Sequence, residues 1–218
     1  MSLVLVLCLN FGAVLLFYSG VLKGGLGFKI FSLLTVDFQS SLPTLFNTIL
    51  VVIAFIVLAM ISLHIRKMKS DEVYNWLLLT AAFLLLSLDE NPSVHNIFVT
   101  VFNKYGVVGQ RLVMNYAWGM PYGALVVIFV FFLIRFVNAL PRDIAIGFVV
   151  SGFIYVFGAI VIGLYGANLL HIHDRYSIRY VLLASYEESL EMIGLTLFIY
   201  YLMRFIHIRF NSFSLEIK

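Results

Sequence analysis

The sequence predicts an all-α protein, a bundle of about six membrane-spanning helices, since a hydrocarbon core about 30 Å thick takes roughly 20 apolar helical residues to cross. Two observations carry that expectation. The first is composition: of 218 residues, 62% are hydrophobic and 11% charged. A soluble globular domain has roughly 45–50% and about 25%. The mean hydropathy is +1.04, and a water-soluble fold of this length cannot hide so much apolar surface. The second is arrangement: the apolar residues fall into stretches of span length, separated by short polar or glycine-bearing breaks. The length suits one integral membrane domain over residues 1–218.

The first stretch, Leu3–Leu22, is apolar from its start and lacks the basic n-region and small-residue cleavage site of a signal peptide, so it reads as a retained span. Cys8 lies within it; a lone cysteine excludes an internal disulfide and a thiolate metal site, and reads as a small packing residue. Lys23 to Leu42 is a glycine-bearing connection whose piece Phe28–Leu34 is amphipathic and suits the membrane interface. The second span is Pro43–Ile65 and the third, the shortest, Val73–Leu88. Asn47, Thr48 and Thr80 within them are expected to hydrogen-bond between helices. Asn91-Pro92 reads as the cap and first-turn proline of a short helix to about Asn103, too polar to cross.

The fourth span is Met114–Val137, with Pro121 placed to bend it and open a cavity. Pro141, Arg142 and Asp143 mark a turn. The fifth span, Ile144–Leu170, carries small residues at four-residue spacing: Gly147 with Ser151, then Ala159, Gly163 and Ala167. Such a stripe lets another helix approach closely. The sixth span is Tyr180–Ile206, and there is no internal repeat or low-complexity tract.

The formal charge is +3 and the pI about 9.0. The basic residues stand singly between apolar runs, without the stripe that nucleic-acid binding requires, so nucleic acid is excluded as a partner. In a membrane protein the Lys/Arg excess reports orientation. With an even number of spans both termini share a side, and that side collects Arg66, Lys67, Lys69, Arg135, Arg142, Arg204, Arg209 and Lys218. Both termini are therefore expected in the cytoplasm. The lack of an acceptable N-x-S/T site fits a bacterial inner membrane.

The same topology gathers acids and imidazoles on the opposite, outer side. Asp37 lies in the first outer loop, Asp89 and Glu90 close the third span, and His95 follows shortly after. His171, His173 and Asp174 follow the fifth span, and Glu187, Glu188 and Glu191 lie on the sixth. The sharpest signal is the segment from Ser185 to Gly194, SYEESLEMIG. Residues three and four apart are neighbours on a helix, so Glu191 stacks against both Glu187 and Glu188. Glu191 stands on the order of 20 Å along the helix from Arg204, inside the hydrocarbon zone. A carboxylate there costs at least about 2.5–3.5 kcal/mol and needs a partner. Compensation can come from Arg175 and Arg179, from a metal, or from protons. A metal would be held by Glu90, His95, His171, His173, Glu187 and Glu191. Such a mixed oxygen and imidazole set suits zinc, iron or manganese better than calcium or magnesium. Glu188 and Asp89 would then move protons. Asp37 and the aromatic residues Tyr116, Trp118 and Tyr122 would face a substrate, the aromatics serving equally as an interfacial belt.

Certain of these residues resemble a known pattern. Asp37 with Leu42-Pro43-Thr44, then Ser87-Leu88-Asp89-Glu90 followed by Ser93 and His95, then Glu187-Glu188 with Glu191-Met192 and Gly194, resemble a family of bacterial polytopic inner-membrane proteins of unknown function. The likeness covers most of the chain and implies a multi-span architecture with the acids forming one site. A looser similarity, in Ser87, Asp89 and His95, is to the alkaline ceramidase and adiponectin-receptor-like membrane hydrolases, which hold zinc between transmembrane helices. Those enzymes carry a late H-x-x-x-H pair, and the corresponding helix here offers Glu187 and Glu191 instead. Three functions are compatible with the sequence. They are a metal-dependent hydrolase acting on lipid at the outer interface, a non-catalytic membrane scaffold tied by a polar network, and an ion- or proton-coupled transporter. The third lacks a second buried charge midway down the bundle and an inverted repeat.

Overall fold

Ser2 opens the first helix, α1 (Leu3–Tyr18): its hydroxyl accepts the Leu5 N–H at 3.3 Å, satisfying one of the free donors of the first turn. The computed structural model describes residues 2–22, 24–36, 41–90, 119–172 and 176–210, with the backbone alone at 89, 90, 119–122, 168 and 170–172. α1 stops four residues before the expected end, because the chain turns there: the Val21 and Leu22 N–H groups both bond back to the Leu16 carbonyl. Gly20 and Gly24 adopt φ of 79° and 73°, left-handed values that glycine alone takes without strain. The turn feeds α2 (Gly24–Leu34), which extends the expected amphipathic piece and packs against α1 and α3. Its Phe31 is fully buried and stacks on Phe17 with ring centroids 4.1 Å apart.

α3 (Leu42–Lys67) starts at a Ser41 cap with Pro43 in the first turn, and ends in His64, Arg66 and Lys67, whose charges complement the helix dipole. It pairs with α4 (Val73–Glu90) as a hairpin. Thr80 gives its proton to the Trp76 carbonyl at 2.8 Å, so Ser62 is the donor in the 2.8 Å hydroxyl contact that joins α3 to α4. Thr48, by contrast, bonds the Thr44 carbonyl of its own helix and does not bridge. α5 (Gly119–Ala139) carries Pro121 within its first described turn. The expected first residues of that span, up to Trp118, and the expected short helix from Asn91 lie outside the described residues.

α6 (Arg142–Val156) continues through a π-helical turn (Phe157–Ile162) into α7 (Gly163–Ile172), and α8 (Ile178–Phe210) closes the chain. At 1.5 Å per residue α8 is about 50 Å long and exceeds the hydrocarbon core at both ends. Leu42–Lys67, Arg142–Ala167 and Ile178–Phe210 are each long and apolar enough to cross a membrane, and shorter apolar helices at Leu3–Tyr18, Val73–Leu88 and Gly123–Ala139 complete the bundle. The protein is an all-α, membrane-spanning helical bundle. Its outward residues are those of a lipid-facing surface: Leu85, Leu125, Phe131 and Phe153 are all largely exposed. Cys8 is exposed too, so it is a lipid-facing residue and not the packing residue expected.

α8 is the hub, touching α1, α3, α6, the π turn and α7. Three apolar layers stack along it. At the end carrying Arg204, Trp76 is enclosed by Phe136 and Phe205, with Ile65 and Ile144. Val6, Leu50, Val51, Met192 and Leu195 fill the middle, and Val14, Phe31 and Val181 the far layer. α6 approaches α8 closely because glycines face it. A β-carbon on Gly194 would stand 2.8 Å from the Tyr155 amide nitrogen and 2.9 Å from the Ser151 carbonyl oxygen, and one on Gly147 would enter the Tyr201 ring. The expected stripe is thus correct at Gly147 and Ser151, both buried. Beyond them Gly158, seven residues from Ser151 and on the same face, is buried against Leu190 and Glu187, and the π turn inserts a residue that makes Gly163 the next buried position, five residues on. Ala159 and Ala167 are only half-buried. Ion pairs pin the Arg204 end: Arg204 to Asp143 at 2.8 Å joins α8 to α6, and Arg209 to Glu72 at 3.4 Å joins α8 to the start of α4.

Candidate functional site

The carboxylates of α8 are placed by helical geometry. Glu187, Glu188 and Glu191 fall within about 100° of its circumference, since successive residues turn by a hundred degrees at 3.6 per turn. The same sector holds the buried Ala184, Gly194, Leu195 and Phe198, so the acids turn inward with the packing face and are half-buried. If Arg204 marks one edge of a 30 Å core, the other edge falls near Ala184, and Glu191 lies about 10 Å inside it.

Each acid meets a different neighbour. Glu191 Oε2 accepts a hydrogen bond from the Asn47 side-chain amide of α3 at 3.1 Å, and Asn47 is itself buried. Glu187 Oε2 sits beneath α7, where a methyl group on Gly166 would be 3.7 Å away; a larger side chain there would crowd the carboxylate. Glu188 Oε2 is shielded from solvent. The surroundings stay polar on the α1 side. Asn10 is fully buried, its side-chain oxygen accepting the Val36 N–H at 3.2 Å and the Ser185 hydroxyl at 3.5 Å, the long end of the range. Ser189 donates to the Ser185 carbonyl within α8. A polar stratum thus runs from α1 through α8 to α3 in the half of the bundle away from Arg204.

Of the residues singled out from the sequence, Glu187, Glu188 and Glu191 lie together, with Asn47 bonded to the last. The backbone puts Asp89 and Glu90 at the end of α4 and His171 in the last turn of α7, and their side chains lie outside the described residues, as does that of Tyr122. Asp37, His95, Tyr116, Trp118 and His173 lie outside the described residues altogether. Among the described residues no group of three or more His, Cys, Asp or Glu side chains is arranged to hold a metal ion. Of the two arginines expected to compensate the acids, Arg175 lies outside the described residues; Arg179 is exposed and makes no ion pair among them. Glu191 is met by the neutral amide of Asn47.

Two residues of this stratum escaped the sequence reading. Asn10 is the lone amide in an otherwise apolar first helix, a signal that was available, since an unpaired amide in lipid is costly. Gly166 carried none, because its role depends on which face α7 presents after the π turn. A family model described as "Domain of unknown function (DUF8692)" matches residues 3–205, and the chain belongs to that family. None of the curated proteins and none of the solved structures matches it.

Proposed function

We propose that this DUF8692 protein is a metal-dependent membrane hydrolase whose acidic centre, in the outer half of the bundle, acts on a lipid at the interface. The supporting observation is Glu187, Glu188 and Glu191 turned into the bundle at membrane depth, with Glu191 oriented by the buried Asn47. Three carboxyls within one turn cannot all stay ionised there without a cation. Oxygen donors from α8, with Glu90, His95, His171 and His173, would form a set suited to zinc, iron or manganese. A metal held there would supply Lewis-acid activation of water, and Glu188 or Asp89 would carry the proton. Asp37, Tyr116, Trp118 and Tyr122 would line the lipid's approach. We place the centre on the periplasmic side of a bacterial inner membrane, with both termini cytoplasmic, from the Lys/Arg excess at the Arg204 end.

The test is metal content by mass spectrometry of detergent-purified protein. Stoichiometric zinc, iron or manganese, lost in Glu191→Ala while the protein stays folded, is the expected result. Metal-free wild type, or a Glu191→Ala variant that keeps its metal, removes the proposal. A second reading draws on the Asn47–Glu191 bond itself: a scaffold in which the acids only tie α8 to α3. Glu191→Gln separates the two, since an amide preserves that tie but binds metal poorly. A folded Glu191→Gln protein of unchanged thermal stability that has lost its metal counts against the scaffold, and a metal-free wild type that is destabilised by Glu191→Ala favours it.

A further inference from the structure

At the opposite end of the molecule from the acidic centre, and independent of it, α5 and α6 diverge around a lipid-facing groove of about 380 Å³. We propose that this groove binds one anionic phospholipid, its acyl chain lying between the helices and its phosphate against Arg142. The walls are aliphatic: Leu140 contributes from the end of α5, and Ile146, Val149 and Val150 from α6, the last three substantially exposed. The polar rim is confined to one end, where Asn138 and Arg142 line the groove. Val149 and Val150 lie seven and eight residues beyond Arg142, about 10–12 Å deeper along α6. An apolar trough of that depth below a cation and an amide matches a glycerophospholipid, tail inward and headgroup at the boundary. It does not match an extended peptide, whose backbone donors and acceptors would find no partners on these walls.

Charge selects the headgroup. The neighbouring acid, Asp143, is already engaged by Arg204 at 2.8 Å. Arg142 makes no ion pair among the described residues and is exposed, so its charge at the rim is uncancelled. A guanidinium offers a planar fork that fits phosphate oxygens, and Asn138 adds an amide donor beside it. The end of the bundle concerned also carries Arg66, Lys67 and Lys69, so the local potential favours a net negative headgroup over a zwitterionic one.

Native mass spectrometry of the full chain in detergent, titrated with dioleoylphosphatidylglycerol or dioleoylphosphatidylcholine, tests this. The first phosphatidylglycerol should bind about fivefold more tightly than phosphatidylcholine, the discrimination one cationic group contributes near an anionic headgroup. Arg142→Gln should abolish that preference, and Val149→Trp, which fills the trough from an exposed position, should weaken both lipids. Unchanged thermal unfolding in each variant shows that folding is intact. Equal binding of the two lipids by wild type, a preference that survives Arg142→Gln, or indifference to Val149→Trp overturns the proposal. So does displacement of phosphatidylglycerol by inorganic phosphate, which would mark a free-anion site without a tail. Metal content is unaffected by either variant, so this result and that for the acidic centre fail separately.

Discussion

Asn47 and Glu191 show how little polar chemistry a membrane interior tolerates without a partner. The amide reaches the carboxylate at 3.1 Å across the α3–α8 contact, and a hydrogen bond to a charged group contributes about 1.5–3 kcal/mol. Asn47→Leu removes this donor and puts aliphatic carbon in its place beside the carboxylate. Thermal unfolding in detergent should therefore show a loss of about 1–3 kcal/mol, and Glu191→Gln in the Asn47→Leu background should recover part of it. If Asn47→Leu is as stable as wild type, Asn47 does not support the carboxylate. Trp76 presents the reverse situation: it is fully enclosed, and its indole N–H has no hydrogen-bond partner among the described residues. Trp76→Phe discards that orphan donor while keeping most of the ring volume against Phe136 and Phe205. Its cost should stay below about 1.5 kcal/mol, as for a near volume-conserving exchange. A loss in the 3–5 kcal/mol range typical of removing a core aromatic altogether would show that the indole is needed.

At the scale of elements, the seam between α6 and α8 is set by absent side chains. Gly194 lies against backbone atoms of Ser151 and Tyr155, which cannot swing aside as a flexible side chain would. Gly194→Ala should cost about 1–3 kcal/mol by overpacking, visible as a lower unfolding temperature. Gly152, on α6 with open space around its missing β-carbon, is the control. Gly152→Ala should be neutral or stabilising by up to about 1 kcal/mol through helix propensity. Equal effects at the two positions would mean that the seam is looser than described. Gly158, seven residues from Ser151 and so on the same face, lies against Glu187 and Leu190. The π turn then shifts the facing set by a residue, so that Gly163 and Gly166 are buried, Gly166 over the Glu187 carboxylate, where a regular helix would have turned Ile162 and Tyr165 to that side.

For the whole molecule, the Arg204–Asp143 and Arg209–Glu72 pairs and the cationic end of α3 lie at the Arg204 end, and the polar stratum around Glu191 lies in the other half. That asymmetry predicts orientation. In a Cys8→Ser background, Lys69→Cys, in the α3–α4 turn, should react with an impermeant maleimide only in inverted vesicles, and Arg179→Cys, at the start of α8, only in right-side-out cells. The opposite labelling pattern would place the acidic centre in the cytoplasm. Composition and span-length apolar runs were enough by themselves to establish a membrane-spanning helical bundle, because lipid demands both and no soluble fold supplies them. They also brought Glu187, Glu188 and Glu191 onto one inward sector, because that follows from helical periodicity alone. Which partner each acid meets was decided by tertiary structure. Asn47 and Glu191 are 144 residues apart, and nothing local in either segment specifies their contact. The same holds for the π turn that redirects α7, for Asn10 meeting Ser185, and for the trough between α5 and α6. Each depends on how far helices approach and which faces they turn to one another, quantities fixed by close packing of several segments at once rather than by the period of any one.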